Sequence, residues 1–332
     1  MPAAPVSDSL ALIDLAGAEF HLVDPRAPHL RVDDLAPHRG DGIFETVLVT
    51  RLAGADHVHA RELHFSRFRA SAAMLDLPAP DPTLWHAALD AVIADHRERR
   101  GDDEAFTVRY SMSRGLAEAS GWVLSIPLDA KYPGQRAHGI DVITLDKGFP
   151  AYVGQSAPWM LIGAKTLSYA TNQAAARWAA SQGADDVIFL SHDGRVLEGP
   201  TANVVIRRGG ELLTPDPKAG LLHGTTQQTI FAHAAEAGLL CSYTDLTVDD
   251  LTAADGVWLT SSARISVPLN TLDGEELRRD PELSEQMLAW VLGGGDPEPR
   301  AAPGHAPRNL RTHRTGSRAF GLGWTRHTRY DF

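Results

Sequence analysis

The sequence predicts an α+β protein in two domains. Three observations carry this. Short β-prone runs are paired by tight turns: Asp193-Gly194 lies between runs 185–190 and 195–198, and Gly209-Gly210 between 203–207 and 211–213. Helical runs with clear start and stop signals are interspersed among them. Residues 127–137, with Pro127, Tyr132, Pro133 and Gly134, read as a linker. The division expected is a small α/β domain over 1–130, a larger domain over 131–295 and a flexible Arg/Pro-rich tail over 296–332.

In the first domain, runs 10–15 and 19–23 read as short strands. A loop with Pro25, Pro28 and Pro37 leads to Gly40-Asp41-Gly42, which opens a strand through Val49. This is no dinucleotide fingerprint, because the third glycine is missing and no helix follows. Residues 62–75 read as a helix closed by Pro78 and Pro80. His64 and Arg67 are three apart and so share one helix face. Asp81-Pro82 opens the next helix as N-cap and first residue, with Leu84, Ala88, Val92 and Ile93 inward. Runs 105–113 and 121–126 are strands, and Arg114-Gly115 begins the loop between them.

The second domain opens with a strand at 139–144. Lys165 then stands just ahead of a helix that stops near Gly183. The two hairpins follow, then a helix over 225–237 framed by Gly224 and Gly238. Thr247 caps a short helix with Asp250 three residues on. A strand covers 257–260. Asp280-Pro281 opens a final helix with Leu283, Met287, Leu288, Val291 and Leu292 inward. No internal repeat is evident.

The 332 residues are 43% hydrophobic and 22% charged, an ordinary globular composition. The formal charge of −11 argues against a nucleic-acid or anionic-membrane surface. Residues 301–332 run the other way, with six arginines against Asp331 for a net of +5, so the rest carries −16. That tail reads as a solvated extension or as a basic arm for an acidic partner. The lone Cys241 excludes an internal disulfide and a cysteine-based metal cluster, and reads as a core residue of a strand. No signal peptide or bilayer-spanning run is visible, so a cytoplasmic protein is expected.

Lysine is scarce, and Lys165 follows the apolar run Trp159-Met160-Leu161-Ile162. A buried lysine loses hydration, its pKa falls, and its neutral amine becomes a nucleophile toward aldehydes. An exposed one lays its stem on the surface and keeps its head in water. The residues alone leave both open. Downstream come Glu198-Gly199-Pro200-Thr201-Ala202-Asn203 and Gly220-Leu221-Leu222-His223-Gly224-Thr225-Thr226. Glu198 reads locally as a hairpin-end acid in water. The threonines read equally as helix caps or as part of an anion-binding helix start. Arg67 and Arg109 read locally as surface arginines.

In that order of lysine, acid and glycine-framed Thr-Thr, the sequence resembles the class IV aminotransferases, pyridoxal-phosphate enzymes of fold type IV, from about Gly40 to Pro268. The resemblance implies a D-amino acid aminotransferase-like fold. A small α/β domain precedes a larger one with a barrel-like mixed sheet, and pyridoxal 5'-phosphate sits in the cleft between them. It implies that Lys165 carries the coenzyme and acts as the catalytic base, and that Glu198 pairs with the ring nitrogen. Arg67 of a His-x-x-Arg pattern, with Leu222, Gly224, Thr225 and Thr226, would hold the phosphate. Asn203 would fix the loop carrying Glu198. For the substrate it points to Arg109 and to the turn residues Ser262 and Ala263. By spacing, Tyr169, about one helical turn after Lys165, could face the site. Tyr169 also reads as a packing residue. The family implies a small-molecule amino substrate, no metal, and a homodimer whose partner loops close the site.

Within the family, loop 116–120 lacks the arginine and histidine that D-amino acid aminotransferases carry there. Ser261-Ser262-Ala263-Arg264-Ile265 departs from the Gly-Thr-Ala-Ala-Glu turn of branched-chain members. Ser113-Arg114-Gly115 and Lys165-Thr166-Leu167-Ser168 are similar to the lyases, although the glycine-rich stretch some lyases carry after Ser-Arg-Gly is absent. The resemblance therefore points to 4-amino-4-deoxychorismate lyase. The alternatives are a branched-chain or D-amino acid aminotransferase and, further off, a non-catalytic homologue.

Overall fold

A computed structural model of the chain describes residues 9–101 and 105–297. The tail expected over 296–332 lies outside them, apart from Asp296 and Pro297.

The first half is built from β1 (Leu10–Asp14), β2 (Glu19–Val23), α1 (Leu35–Arg39), β3 (Gly42–Leu52), β4 (Ala55–Val58), α2 (Arg61–Met74), α3 (Pro82–Arg100), β5 (Phe106–Ser113) and β6 (Ser120–Pro127). Its six strands form one antiparallel sheet in the order β2-β1-β6-β5-β3-β4. Helices α2 and α3 bury their apolar stripes against it. Phe68 of α2 meets Trp85 of α3 and Tyr110 of β5 edge to face, each at 4.9 Å between ring centroids. Burying one such aromatic contributes roughly 1.5–3 kcal/mol. Asp81 caps α3 as its sequence predicts, accepting from the Thr83 and Leu84 N–H groups.

The second half comprises α4 (Tyr132–His138), β7 (Ile140–Asp146), α5 (Ala170–Ser181), β8 (Asp186–Leu190), β9 (Asn203–Arg208), β10 (Glu211–Pro215), α6 (Thr225–Glu236), β11 (Leu240–Thr244), α7 (Val248–Ala253), β12 (Gly256–Ser261), β13 (Ile265–Leu272), β14 (Glu275–Glu276) and α8 (Pro281–Leu292). Its sheet is mixed, ordered β11-β10-β9-β12-β13-β7-β8, with β14 on β13. The pairs β10–β11, β13–β7 and β7–β8 are parallel. One core joins α6 and α8 to Trp258 through Ile230, Phe231, Leu283, Met287 and Val291. Thr247 and Asp250 form a full capping box on α7.

Several expectations need correcting. The linker 127–137 contains most of α4, a short helix with Pro133 in its first turn, where a missing N–H costs nothing. The loop before Gly40 likewise holds α1, capped by Asp34 and closed by Gly40 at φ 69°. Run 195–198 is no full strand. It makes only single bridges, Leu190 with Val196 and Glu198 with Asn203. Leu292 is not inward but 38% exposed, because α8 ends there. Cys241 lies on β11 and is half-buried rather than core.

The lysine stretch is extended where it matters. Phe44 N–H donates to Lys165 O at 3.0 Å and Leu167 N–H to Gly42 O at 2.8 Å, so residues 165–167 lie against β3 like one more strand. Gly42 permits this approach: a Cβ there would overlap Met112 O and come within 2.7 Å of Leu167 Cδ1. The one-helical-turn spacing expected between Lys165 and Tyr169 is therefore wrong, since α5 begins only at Ala170.

Candidate active site

A cavity of about 730 Å³ opens where β3, α2, the 160–173 segment, loop 198–203, the start of α6 and the turn between β12 and β13 converge. Arg67, Arg109, Lys165, Tyr169, Glu198, Asn203, Leu222, Gly224, Thr225, Thr226, Ser262 and Ala263 all line it, so every site residue expected from the sequence is brought together.

Lys165 Nζ points over the Phe44 ring, 4.7 Å from its centroid. Burial pushes its ammonium down to about 8, and the Arg67 charge acts in the same direction. Glu198 Oε2 accepts from Leu222 N–H at 3.0 Å and faces Asn203 Nδ2 at 3.4 Å. Its Oε1 has no donor among the described residues. Burial raises the Glu198 pKa, opposed by the Leu222 N–H. Asn203 Nδ2 also donates to Leu222 O at 2.8 Å, tying the acid's loop to the approach to α6.

Helix α6 starts without a side-chain cap, because Gly224 stands at its N-cap position. The N–H groups of Thr225, Thr226 and Gln227 therefore have no partner among the described residues. Such a helix start binds anions through free amides and the helix dipole. Arg67 reaches this end of the cavity and donates to His223 O at 3.0 Å.

Arg109 donates from Nε to Thr46 Oγ1 at 3.1 Å and lies over the other cation's ring, 4.9 Å from the Phe44 centroid. No carboxylate of the described residues pairs with it. The Tyr169 hydroxyl is already used, donating to Pro200 O at 2.9 Å, and the Tyr169 ring packs edge-on against Phe44. Arg69, two residues after Arg67 on α2, is exposed.

Three groups escaped the sequence reading. Glu45, fully buried on β3, receives Arg67 and His64. His64 then presents Nε2 to Thr225 Oγ1 at 3.0 Å and Ser262 Oγ at 3.1 Å. A proton on Nδ1, facing the carboxylate, makes Nε2 the acceptor for both hydroxyls. The signal was an acid inside the apolar run Ile43-Phe44-Glu45-Thr46-Val47, opposite a His-x-x-Arg face. Lys147, after β7, also lines the cavity, with Nζ 3.7 Å over the Phe189 ring, and burial lowers its pKa.

The donor set fits pyridoxal phosphate: an amine of lowered pKa, a half-buried carboxylate with one oxygen free of any donor among the described residues, and an uncapped helix start in one cavity. Fold and site together are those of a pyridoxal-phosphate enzyme of fold type IV. The family model for amino-transferase class IV matches residues 42–271, and this chain belongs to that family. It is 43% identical over 268 residues to a bifunctional aminodeoxychorismate lyase / D-amino acid transaminase of Mycobacterium tuberculosis, covering 78% of this chain and 91% of the relative. A fold IV transaminase from Curtobacterium pusillum superposes with a TM-score of 0.80 at 41% identity, over 86% of this chain and 97% of that one. A hypothetical aminotransferase from M. tuberculosis, solved with alpha-ketoglutarate and PMP bound, gives 0.78 at 40%, over 85% and 99%. No described helix is long and apolar enough to cross a membrane.

Proposed function

We propose that this chain is a 4-amino-4-deoxychorismate lyase that releases pyruvate and 4-aminobenzoate. The observation that carries the reading is the pairing of Lys165 Nζ and the acid-free guanidinium of Arg109 over one Phe44 ring, at 4.7 and 4.9 Å. A substrate would then place its amine toward the coenzyme end at Lys165 and its carboxylate toward Arg109. The preference for the lyase rests on the Ser261-to-Ile265 turn, the Ser113-Arg114-Gly115 triplet and the first activity named for the M. tuberculosis relative.

Pyridoxal phosphate supplies an electron sink for the carbon that bears the substrate nitrogen. Lys165 would hold the coenzyme and, as the neutral amine, would serve as the base for the proton on the nitrogen-bearing carbon. Glu198, whose Oε1 has no donor among the described residues, would keep the coenzyme's ring nitrogen protonated through a charge-assisted bond. The amides of Thr225 and Thr226, with the Thr226 hydroxyl and Arg67, would hold the phosphate, and Gly224 leaves the helix start open. Asn203 and Leu222 orient Glu198. Arg109 takes a substrate carboxylate, and Ser262 and Ala263 line the same cavity. Tyr169 walls the site with its ring. In the overall reaction a proton leaves the nitrogen-bearing carbon and the enolpyruvyl C–O bond breaks with its electron pair going to oxygen. The enol takes a proton to become pyruvate, and the ring becomes aromatic.

The chain acts as a cytoplasmic homodimer of two-domain subunits on this reading. Trp159, 76% exposed, and Met160 at the cavity mouth suit coverage by a partner's loop. Aminotransfer is the second reading, favoured by the other activity in the relative's name. Purified enzyme should release pyruvate and 4-aminobenzoate from 4-amino-4-deoxychorismate with no keto acid present. A strict requirement for a keto acid overturns the lyase in favour of an aminotransferase, and failure to take up coenzyme overturns both.

A further inference from the structure

The outer edge of the first sheet carries a side-chain cluster that the active site leaves unused. His57 lies on β4 and His59 in the turn just after it. Their rings meet edge to face with centroids 4.5 Å apart. The chain leaving α8 brings Asp296 alongside, with Oδ2 3.7 Å from His57 Nε2. One donor atom from each of the three residues lies within 4.8 Å of the other two. His57 Nε2 and His59 Nδ1 are both buried without a hydrogen-bond partner among the described residues. Buried polar atoms rarely go without a partner, so two in one cluster point to a missing ligand. The other nitrogen of His59 is already fixed, 2.7 Å from Thr50 Oγ1. Metal-bound imidazoles are commonly oriented by such a contact on the far nitrogen.

We propose that His57, His59 and Asp296 bind a divalent transition cation, with zinc as the reference ion. Two imidazoles and one carboxylate form the nitrogen-and-oxygen set that zinc and its neighbours favour, leaving a fourth position for water. Tetrahedral zinc with bonds of about 2.0–2.1 Å needs donors about 3.4 Å apart. The cluster must therefore contract by on the order of an ångström. Asp296 can supply that movement, being exposed and preceded by Gly293, Gly294 and Gly295. Two alternatives compete: a plain His57–Asp296 ion pair, and donation from His59 to the Val291 carbonyl. The bound ion would clasp the segment after α8 to strand β4 and secure the C-terminal end of the described chain.

The test uses the full, tag-free, coenzyme-loaded chain, stripped with a chelator and titrated with zinc by calorimetry. The chain holds 15 histidines, so binding must be mapped by substitution. One equivalent should bind at micromolar affinity or tighter and raise Tm. His57→Gln and Asp296→Asn, at half-buried and exposed positions, should each weaken binding about tenfold or more. The coenzyme absorption, unchanged in both, shows that they fold. The absence of saturable binding to the parent chain overturns the proposal, as does zinc binding that neither substitution affects.

Discussion

Glu45 on β3 offers both carboxylate oxygens to Arg67 on α2, Oε1 to Nε at 2.6 Å and Oε2 to Nη2 at 2.9 Å. The same Oε2 meets His64 Nδ1 at 2.6 Å. This buried acid sets the direction of two side chains that border the helix start of α6. Burial alone would raise its pKa, but the Arg67 charge and the hydrogen bonds from Arg67 and His64 reverse this and hold it well below the usual carboxylate range.

Glu45→Ala strands a mostly buried guanidinium, and breaking such a pair costs about 3–5 kcal/mol. Arg67 keeps some solvent contact, so the lower end is expected from urea unfolding. The pH dependence has a definite sign. The folded pKa of Glu45 is depressed, so its stabilisation is present above the unfolded value of about 4.3 and is lost as pH falls toward the folded value. Glu45→Gln should remove that group's share of the acid-side slope. An unchanged slope would show that Glu45 is not the titrating group.

Lys165 makes a kinetic prediction. With its ammonium pushed down to about 8, capture of pyridoxal phosphate by coenzyme-free protein should speed up about tenfold per pH unit below 8 and level off above it. A rate still rising steeply past pH 9 would mean that the amine is not desolvated. The linkage sign runs opposite to that of Glu45. Between about 8 and the ordinary lysine value near 10.4, the unfolded chain binds more protons, so coenzyme-free protein should gain stability as pH rises. Lys165→Met should abolish both the capture and this gain.

How much of this was legible in the residues depended on range. Lys165, Glu198 and the uncapped start of α6 are local features, written in glycines, turns and a helix beginning. Glu45 was missed because its partners come from a different element, 19 and 22 residues on. A buried acid becomes intelligible only once α2 lies across β3. Helices α1 and α4 were hidden by their prolines, which read as breakers although each sits in a first turn. Tyr169 went astray because a helical period was applied to residues that pair with β3 instead.

Arg109 should distinguish anion recognition from packing. Hydrogen bonds to charged groups contribute about 1.5–3 kcal/mol. Arg109→Leu should therefore lower kcat/KM for a carboxylate-bearing amine by about 10- to 100-fold, chiefly through KM. An amine without a carboxylate should lose far less. An equal loss for both substrates would assign Arg109 to shaping Phe44, over which it lies, rather than to the substrate.

Gly224→Ala tests the junction between the acid and the helix start. The backbone there is ordinary, φ −65° and ψ 124°, so an added methyl brings no conformational strain. The obstacle is steric: a Cβ at 224 would overlap Asn203 Oδ1 and approach its Cγ to 2.7 Å. Asn203 must swing away, and with it go the bond to Leu222 O and the contact with Glu198. Coenzyme affinity should fall about tenfold or more, as when one charge-assisted bond is lost, while the fold persists. Adding Asn203→Ala should relieve the overlap, since the Asn203 Cβ lies at 3.4 Å, an ordinary contact. The double variant should then recover thermal stability lost in Gly224→Ala but not coenzyme affinity, because Glu198 still lacks its amide neighbour. Full recovery of affinity would show that Asn203 does not orient Glu198 and that Gly224 acts through space alone.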